Sequence, residues 1–220
     1  MKIIFCVPGK TFSRWFLYAW TNLIKELEKV GIEWELAVSY SAIVHHARDQ
    51  LVQQIFKNRK DYNYMMWIDS DIYFEPHQFF KLLDHNVDIV SGLYFRELGI
   101  TDRNKKRFAC IVNGKAINEI ELNEIKPSLQ HPKLKEVDGN GMGWMLVKKG
   151  VFEILYENGK FPWFSEKYLS KFGVWRALIE DGAFQENARD NGFKSYVDPT
   201  IIVGHEKPIV LHEKTVDNIR

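Results

Sequence analysis

Two aspartates stand one residue apart in the stretch WIDSDIYF, residues 67–74. The approach is apolar, so Asp69 and Asp71 sit at the end of a segment that avoids water. Unpaired carboxylates that close repel each other, and poor solvation strengthens the repulsion. A positive partner is therefore expected. If the backbone stays extended, residues two apart project to one face, which puts both carboxylates in one space and turns Ser70 away. Paired oxygens of this kind suit a hard divalent cation such as Mg²⁺ or Mn²⁺, completed by water and phosphate. The alternative is a solvated strand-end turn, or a helix N-cap by Asp71.

Other stretches carry chemistry too. Gly139, Gly141 and Gly143 alternate in VDGNGMGWMLV and fail the Gly-x-Gly-x-x-Gly spacing of dinucleotide sites. Glycines here would let the backbone approach a ligand closely, or simply make a turn. Glu180 and Asp181 form a second acidic pair, in IEDGAF; in the first turn of a helix they would also complement the helix dipole. Trp144, Trp163 and Phe164 are candidates to stack on the faces of acceptor sugars, with core packing as the alternative. Pro8-Gly9-Lys10 lacks the spacing of a phosphate-binding P-loop.

These residues need elements to position them. KIIFCV (2–7) reads as a buried strand, 11–30 as a helix with Phe16, Trp20, Leu23, Ile24 and Leu27 on one stripe, and EWELAVS (33–39) as a second strand. A helix over 43–58, a strand YMMWI, a helix EPHQFFKLLDH and a strand DIVSGLYF follow. That alternation predicts a mostly parallel central sheet with helices on both faces, and ligands at the carboxyl ends of the strands. The basic stretch DRNKKR (102–107) reads as a solvated hairpin tip. Beyond it come a Gly-rich segment, the aromatic loop FPWF, a helix, the strand FKSYVD and a tail beginning VGHEK. No repeat or long linker is visible, so residues 1–220 are expected to form one domain, with 1–100 the nucleotide-binding half and 101–220 the other wall of a cleft.

Bulk properties narrow the classes. A length of 220 residues is enough for one large core, and a net charge of +1 gives no basic field for nucleic acid or membranes. Cys6 and Cys110 each lie in an apolar strand-like run, so buried thiols are expected, not a disulfide. No signal peptide, membrane span or Asn-x-Ser/Thr sequon is read, and the expectation is a soluble, cytoplasmic protein.

Taken in order, the Asp-x-Asp at a strand end, the Gly-rich segment, the Glu-Asp pair opening a helix and the late histidine of VGHEK resemble the GT-A-fold glycosyltransferases. The resemblance implies a GT-A-like domain that moves a sugar from a nucleoside-diphosphate sugar, UDP before GDP, to an acceptor hydroxyl. It implies Mn²⁺ or Mg²⁺ held by Asp71 and His205, with Asp69 touching the ribose and reaching the metal directly or through water. Asp181 would be the general base of an inverting reaction, with Glu180 the second candidate; a retaining reaction would need neither. The donor would meet Val7, Pro8 and Gly9, then Ser39, Arg48, Ser70, Gly141 and Gly143. Arg48 lies in ARDQ, where related enzymes often show Ala-Arg-Asn; Asp49 departs from that pattern. The rival readings are a sugar-phosphate nucleotidyltransferase, and a relative that binds a nucleotide sugar or glycan without turnover.

Overall fold

The computed structural model describes residues 1–58, 61–97, 107–113, 115–171 and 174–207. The first part runs β1 (Lys2–Pro8), α1 (Arg14–Lys29), β2 (Glu33–Ser39), α2 (Val44–Lys57), β3 (Tyr64–Ile68), β4 (Ile72–Tyr73), α3 (Pro76–Asp84) and β5 (Ile89–Leu93). Short strands β6 (Phe95–Glu97), β7 (Arg107–Phe108), β8 (Cys110–Val112) and β9 (Lys115–Ala116) follow, then α4 (Glu119–Glu124). The last part is β10 (Lys135–Val137), β11 (Gly139–Asn140), β12 (Trp144–Lys148), α5 (Val151–Glu157), β13 (Lys167–Lys171), β14 (Val174–Leu178), α6 (Glu180–Asp190), β15 (Ser195–Ile202) and β16 (Gly204–His205).

Local chemistry explains the boundaries. Ser13 caps α1 by accepting the Phe16 N–H at 3.0 Å, and Gly31, at φ +69°, lets the chain leave past its end. Pro76 sits in the first turn of α3, and the Gln78 side chain reaches back to the Glu75 N–H at 2.8 Å. Of the apolar stripe expected on α1, Phe16, Trp20, Leu23 and Leu27 are buried and Ile24 is half-buried.

Among the described residues, seven strands form the central sheet, in the order β10-β15-β5-β12-β3-β1-β2. The pairs β1/β2, β1/β3 and β5/β15 are parallel. Between β3 and β5 lies β12, antiparallel to both. The sheet is therefore mixed. The run WMLVK is buried over four of its five residues and needs a two-sided apolar environment, which the middle of the sheet supplies. Its direction has a consequence for the site, because register Trp144↔Ile68 brings Gly143 beside Asp69, whose N–H donates to the Gly143 carbonyl at 3.1 Å.

Both sheet faces are covered. Ile3, Phe5 and Val7 pack with Phe16, Trp20, Leu23 and Phe79 on one side, while Ile4 and Cys6 pack with Leu51, Val52, Ile55, Phe152 and Phe184 on the other. Cys6 and Cys110 are buried and are not joined in a disulfide. Among the described residues no helix is long and apolar enough to cross a membrane. The basic stretch 102–107 lies outside the described residues save for Arg107, which is in β7, paired with β6.

The proposed sugar-stacking aromatics are corrected as well. Trp144 is fully buried against Phe74, with ring centroids 4.5 Å apart. Trp163 is buried with its indole N–H on the Phe152 carbonyl at 3.0 Å, and Phe164 is buried against Trp67 and Phe184. None of the three lines the cavity described below. Asp49 accounts for the placement of Trp163 and Phe164: its Oδ1 accepts the N–H of Trp163 at 2.9 Å and of Phe164 at 3.4 Å. The unusual Asp in ARDQ is thus a clamp on the FPWF loop. Truncating a buried aromatic loses its burial and leaves a cavity, so Phe164→Ala should destabilise the fold by about 3–5 kcal/mol. Urea unfolding reads this as a lowered midpoint; an unchanged midpoint would return Phe164 to the surface.

Candidate functional site

At the carboxyl ends of β1 and β3, and beside the start of α6, the structure opens a cavity of about 670 Å³. That is within the size range of small-molecule sites. Asp69, Ser70, Asp71, Glu180, Asp181 and His205 all line it, as do Pro8, Arg48 and Gly141. Val7, Gly9, Ser39 and Gly143 do not.

The WIDSDIYF strand ends at Ile68, and the chain then turns, with the Ile72 N–H donating to the Asp69 carbonyl at 3.1 Å. Of the two backbones considered, the chain takes the strand-end turn, and that turn brings the two aspartates to one cavity. Each meets its own positive partner. Asp69 Oδ1 accepts from Arg48 Nη2 at 3.0 Å, while Asp71 Oδ2 lies 3.3 Å from His205 Nε2 and 3.2 Å from Lys207 Nζ. The Ser70 carbonyl accepts the Ser13 N–H at 3.0 Å, tying the loop after β1 to this turn. A Cβ on Gly9 would lie 2.4 Å from Ser70 Oγ, so Gly9 is there for the approach of Ser70.

Arg48 is almost fully buried, with Nη1 donating to Glu180 Oε1 at 3.1 Å. Burial opposes its charge, but Asp69, Asp181 and Glu180 outweigh burial and hold its pKa above the ordinary arginine value. The guanidinium expected near the nucleotide lines the cavity and is bound to two carboxylates. Beside it, burial pushes the Asp181 pKa up to about 6; Arg48 opposes the rise, and Glu180 and Asp69 add to it. Asp181 Oδ1 accepts the Gly182 N–H at 2.8 Å in the first turn of α6. Gln185 anchors that helix, donating to the Asn140 carbonyl and accepting the Asn140 N–H.

His205 is placed by β16, which pairs antiparallel with β4, and the following Glu206 N–H donates to the Asp71 carbonyl at 2.8 Å. Its Nδ1 lies 2.9 Å from the Phe95 carbonyl, so Nδ1 carries the proton and Nε2 faces Asp71. Burial disfavours charging His205, but Asp71 and the Phe95 carbonyl more than compensate and raise its pKa. For Asp71, burial is likewise outweighed by His205 and Lys207, and the pKa falls.

A carboxylate beside an imidazole whose other nitrogen is fixed by a backbone carbonyl is an arrangement suited to a divalent cation. The expected trio of Asp69, Asp71 and His205 is corrected: among the described residues no three His, Cys, Asp or Glu side chains gather to hold a metal. Arg48 takes Asp69 away. Asp71 and His205 fit an ion completed by water and phosphate, as Mg²⁺ commonly is, and do not fit a closed all-protein cage.

Sequence reading missed Tyr94 and Lys207. Tyr94 is buried, accepts the Gly143 N–H at 3.1 Å, and lies where a Cβ on Gly141 would come within 1.9 Å of its hydroxyl. A Cβ on Gly143 would lie 2.9 Å from Asp69 Oδ2. Both glycines thus admit the close approach of protein side chains, and Gly141 also lines the cavity. The position of Tyr94 at a strand's carboxyl end was the available signal. Ser39 Oγ donates to Gln50 Oε1 at 2.7 Å, and Val7 is part of the core.

No family model and no curated protein matches the chain. Solved structures do. The A197 protein from STIV superposes with a TM-score of 0.53 at 18% identity, over 94% of this chain and 87% of that one. The catalytic domain of Drosophila beta1,4-galactosyltransferase 7 with xylobiose gives 0.51 at 13% identity, over 100% and 79%. GalNAc-T7 with UDP, GalNAc and Mn²⁺ gives 0.50 at 11% identity, over 99% of this chain and 46% of that one. The fold is therefore an α/β domain of GT-A-like type, with a mixed central sheet flanked by helices.

The Asp181 environment makes a prediction. Its folded pKa of about 6 exceeds the ordinary 3.8, so its contribution to stability is intact below pH 3.8 and is lost as pH rises through 6. Asp181→Asn removes that loss. The variant should melt at a higher temperature than the parent at about pH 8 and at the same temperature at about pH 3.5. Parallel melting curves across that range would show that Asp181 is not held in a poorly solvated place.

Proposed function

We propose that the chain is a glycosyltransferase, taking a sugar from a nucleoside-diphosphate sugar, UDP before GDP, and placing it on an acceptor hydroxyl with inversion. The observation that carries this reading is one cavity, in a GT-A-like domain, that receives the Asp71–His205 pair together with a carboxylate raised to about 6. The solved beta1,4-galactosyltransferase 7 bound to manganese, UDP-Gal and xylobiose supports it as a likeness of fold and of the ligand class such a cavity takes.

Asp181 is assigned as the general base. A carboxylate with a pKa near 6 is ionised at neutral pH, yet accepts a proton more readily than one at 3.8. The proton of the attacking hydroxyl passes to Asp181 as the oxygen bonds to the sugar carbon and the nucleoside diphosphate departs. Arg48 holds Glu180 and Asp69 in place by two ion pairs and limits how far the Asp181 pKa rises. Asp71 and His205 would hold Mn²⁺ or Mg²⁺, which when bound supplies Lewis-acid stabilisation of the departing diphosphate. Partners are the nucleotide sugar and a glycan or other hydroxyl acceptor.

The test incubates the protein with Mn²⁺, radiolabelled nucleotide sugars and a panel of glycan acceptors, and follows free diphosphate and labelled glycan. Transfer is expected. Asp71→Ala should abolish both turnover and Mn²⁺-dependent nucleotide binding. Asp181→Asn should keep binding and lose about 10²–10⁴ in turnover. Pyrophosphate released from a nucleoside triphosphate would identify a nucleotidyltransferase instead, and nucleotide-sugar binding with no release would identify a binding protein.

A further inference from the structure

An imidazole and an ammonium converge on the same oxygen of the same aspartate. His205 Nε2 stands 3.3 Å and Lys207 Nζ 3.2 Å from Asp71 Oδ2. The convergence is built into the backbone. Pairing of β16 with β4 sets His205 opposite Ile72, and the Glu206 N–H on the Asp71 carbonyl holds the next residue in register. Lys207 follows at once, and its side chain lines the same cavity as Asp71 and His205. An ammonium is a compact point charge on a flexible stem, and this one is 45% exposed, so it can leave Asp71 for water.

We propose that Lys207 and a divalent cation exclude each other on Asp71, the lysine serving as the resident counter-ion of the metal-free chain. The inference rests on the proposed function, since it concerns the residues assigned there to hold the ion. Two positive charges brought to one carboxylate oxygen repel strongly in a half-buried place. Entry of the ion therefore detaches Lys207, and detachment is part of what the measured metal affinity contains. The other side of the cavity offers no such exchange, because Arg48 is buried between Asp69 and Glu180.

The experiment titrates Mn²⁺ into the full chain at low salt, without nucleotide, and reads free Mn²⁺ by electron paramagnetic resonance and heat by calorimetry. Lys207→Met should bind Mn²⁺ about tenfold more tightly than the parent, because one opposing charge is gone. Lys207→Arg, which keeps the charge, should stay within about twofold of the parent. Asp71→Asn should lose the site in both the parent and the Lys207→Met background. If Asp71→Asn loses binding but Lys207→Met binds no tighter than the parent, the exclusion is overturned and the metal assignment stands. If Asp71→Asn binds Mn²⁺ as the parent does, the metal assignment itself falls, and the exclusion with it.

Discussion

Everything in the site leans on the guanidinium of Arg48. It is a charge almost wholly removed from water, which would be intolerable alone, and two carboxylates make it tolerable. Those carboxylates come from places far apart in the chain: Asp69 from the turn after β3, Glu180 from the opening of α6. One side chain on α2 thus fixes the relative position of three elements. Buried ion pairs of this kind add little net stability when compared with apolar packing, but removing one partner strands the others. What the arrangement secures is geometry. It also secures an electrostatic setting, since Asp181, Glu180 and Asp69 crowd one region, and Arg48, with the Gly182 N–H, offsets their repulsion in the balance that leaves Asp181 near 6.

The antiparallel strand β12 is the second constraint. Running against β3, it delivers Gly141 and Gly143 to the carboxyl end of the sheet, where Tyr94 and Asp69 press against them. A Cβ at either glycine would collide with the tyrosine or the carboxylate. The Gly143 N–H meets the Tyr94 hydroxyl and its carbonyl meets the Asp69 N–H, so the backbone of this segment supports the same aspartate that Arg48 holds from the other side. The glycines serve the protein's own packing.

This explains what was legible in the sequence and what was not. Alternating and periodic apolar residues revealed the first three strands and helices almost to the residue, because each face of a buried sheet selects for them locally. The strand at 144–148 was not read from the sequence, because its short apolar run follows a Gly-rich segment and carries no direction. The repulsion between Asp69 and Asp71 correctly demanded a cation, yet it could not say that each aspartate would have a different one. Arg48 reaches Glu180 across 132 positions, and no local pattern encodes that contact. The three aromatics offered as sugar platforms failed for the opposite reason: a tryptophan's type is the same whether it fills a core or floors a cleft. For Trp163 and Phe164 the Asp49 contacts to the FPWF backbone decide between the two, and for Trp144 the place of β12 in the middle of the sheet does.

The two halves of the cavity differ in how their charge can change. On the Arg48 side the cation is a guanidinium that does not titrate in the accessible range, is enclosed, and bonds through two nitrogens to two acids. On the Asp71 side the partners are an imidazole and a half-exposed ammonium, and both can be exchanged, one by losing a proton and one by moving into solvent. In the proposed reaction the two needs are different. Proton acceptance by Asp181 requires a fixed field, because a drifting neighbour would move its pKa with every turnover. The departure of a diphosphate requires charge that can be installed and withdrawn as substrate enters and product leaves. A permanent counter-ion at Asp71 would satisfy that carboxylate and leave nothing for the departing group. The fold answers by burying one cation under α2 and leaving the other on an exposed stem after β16.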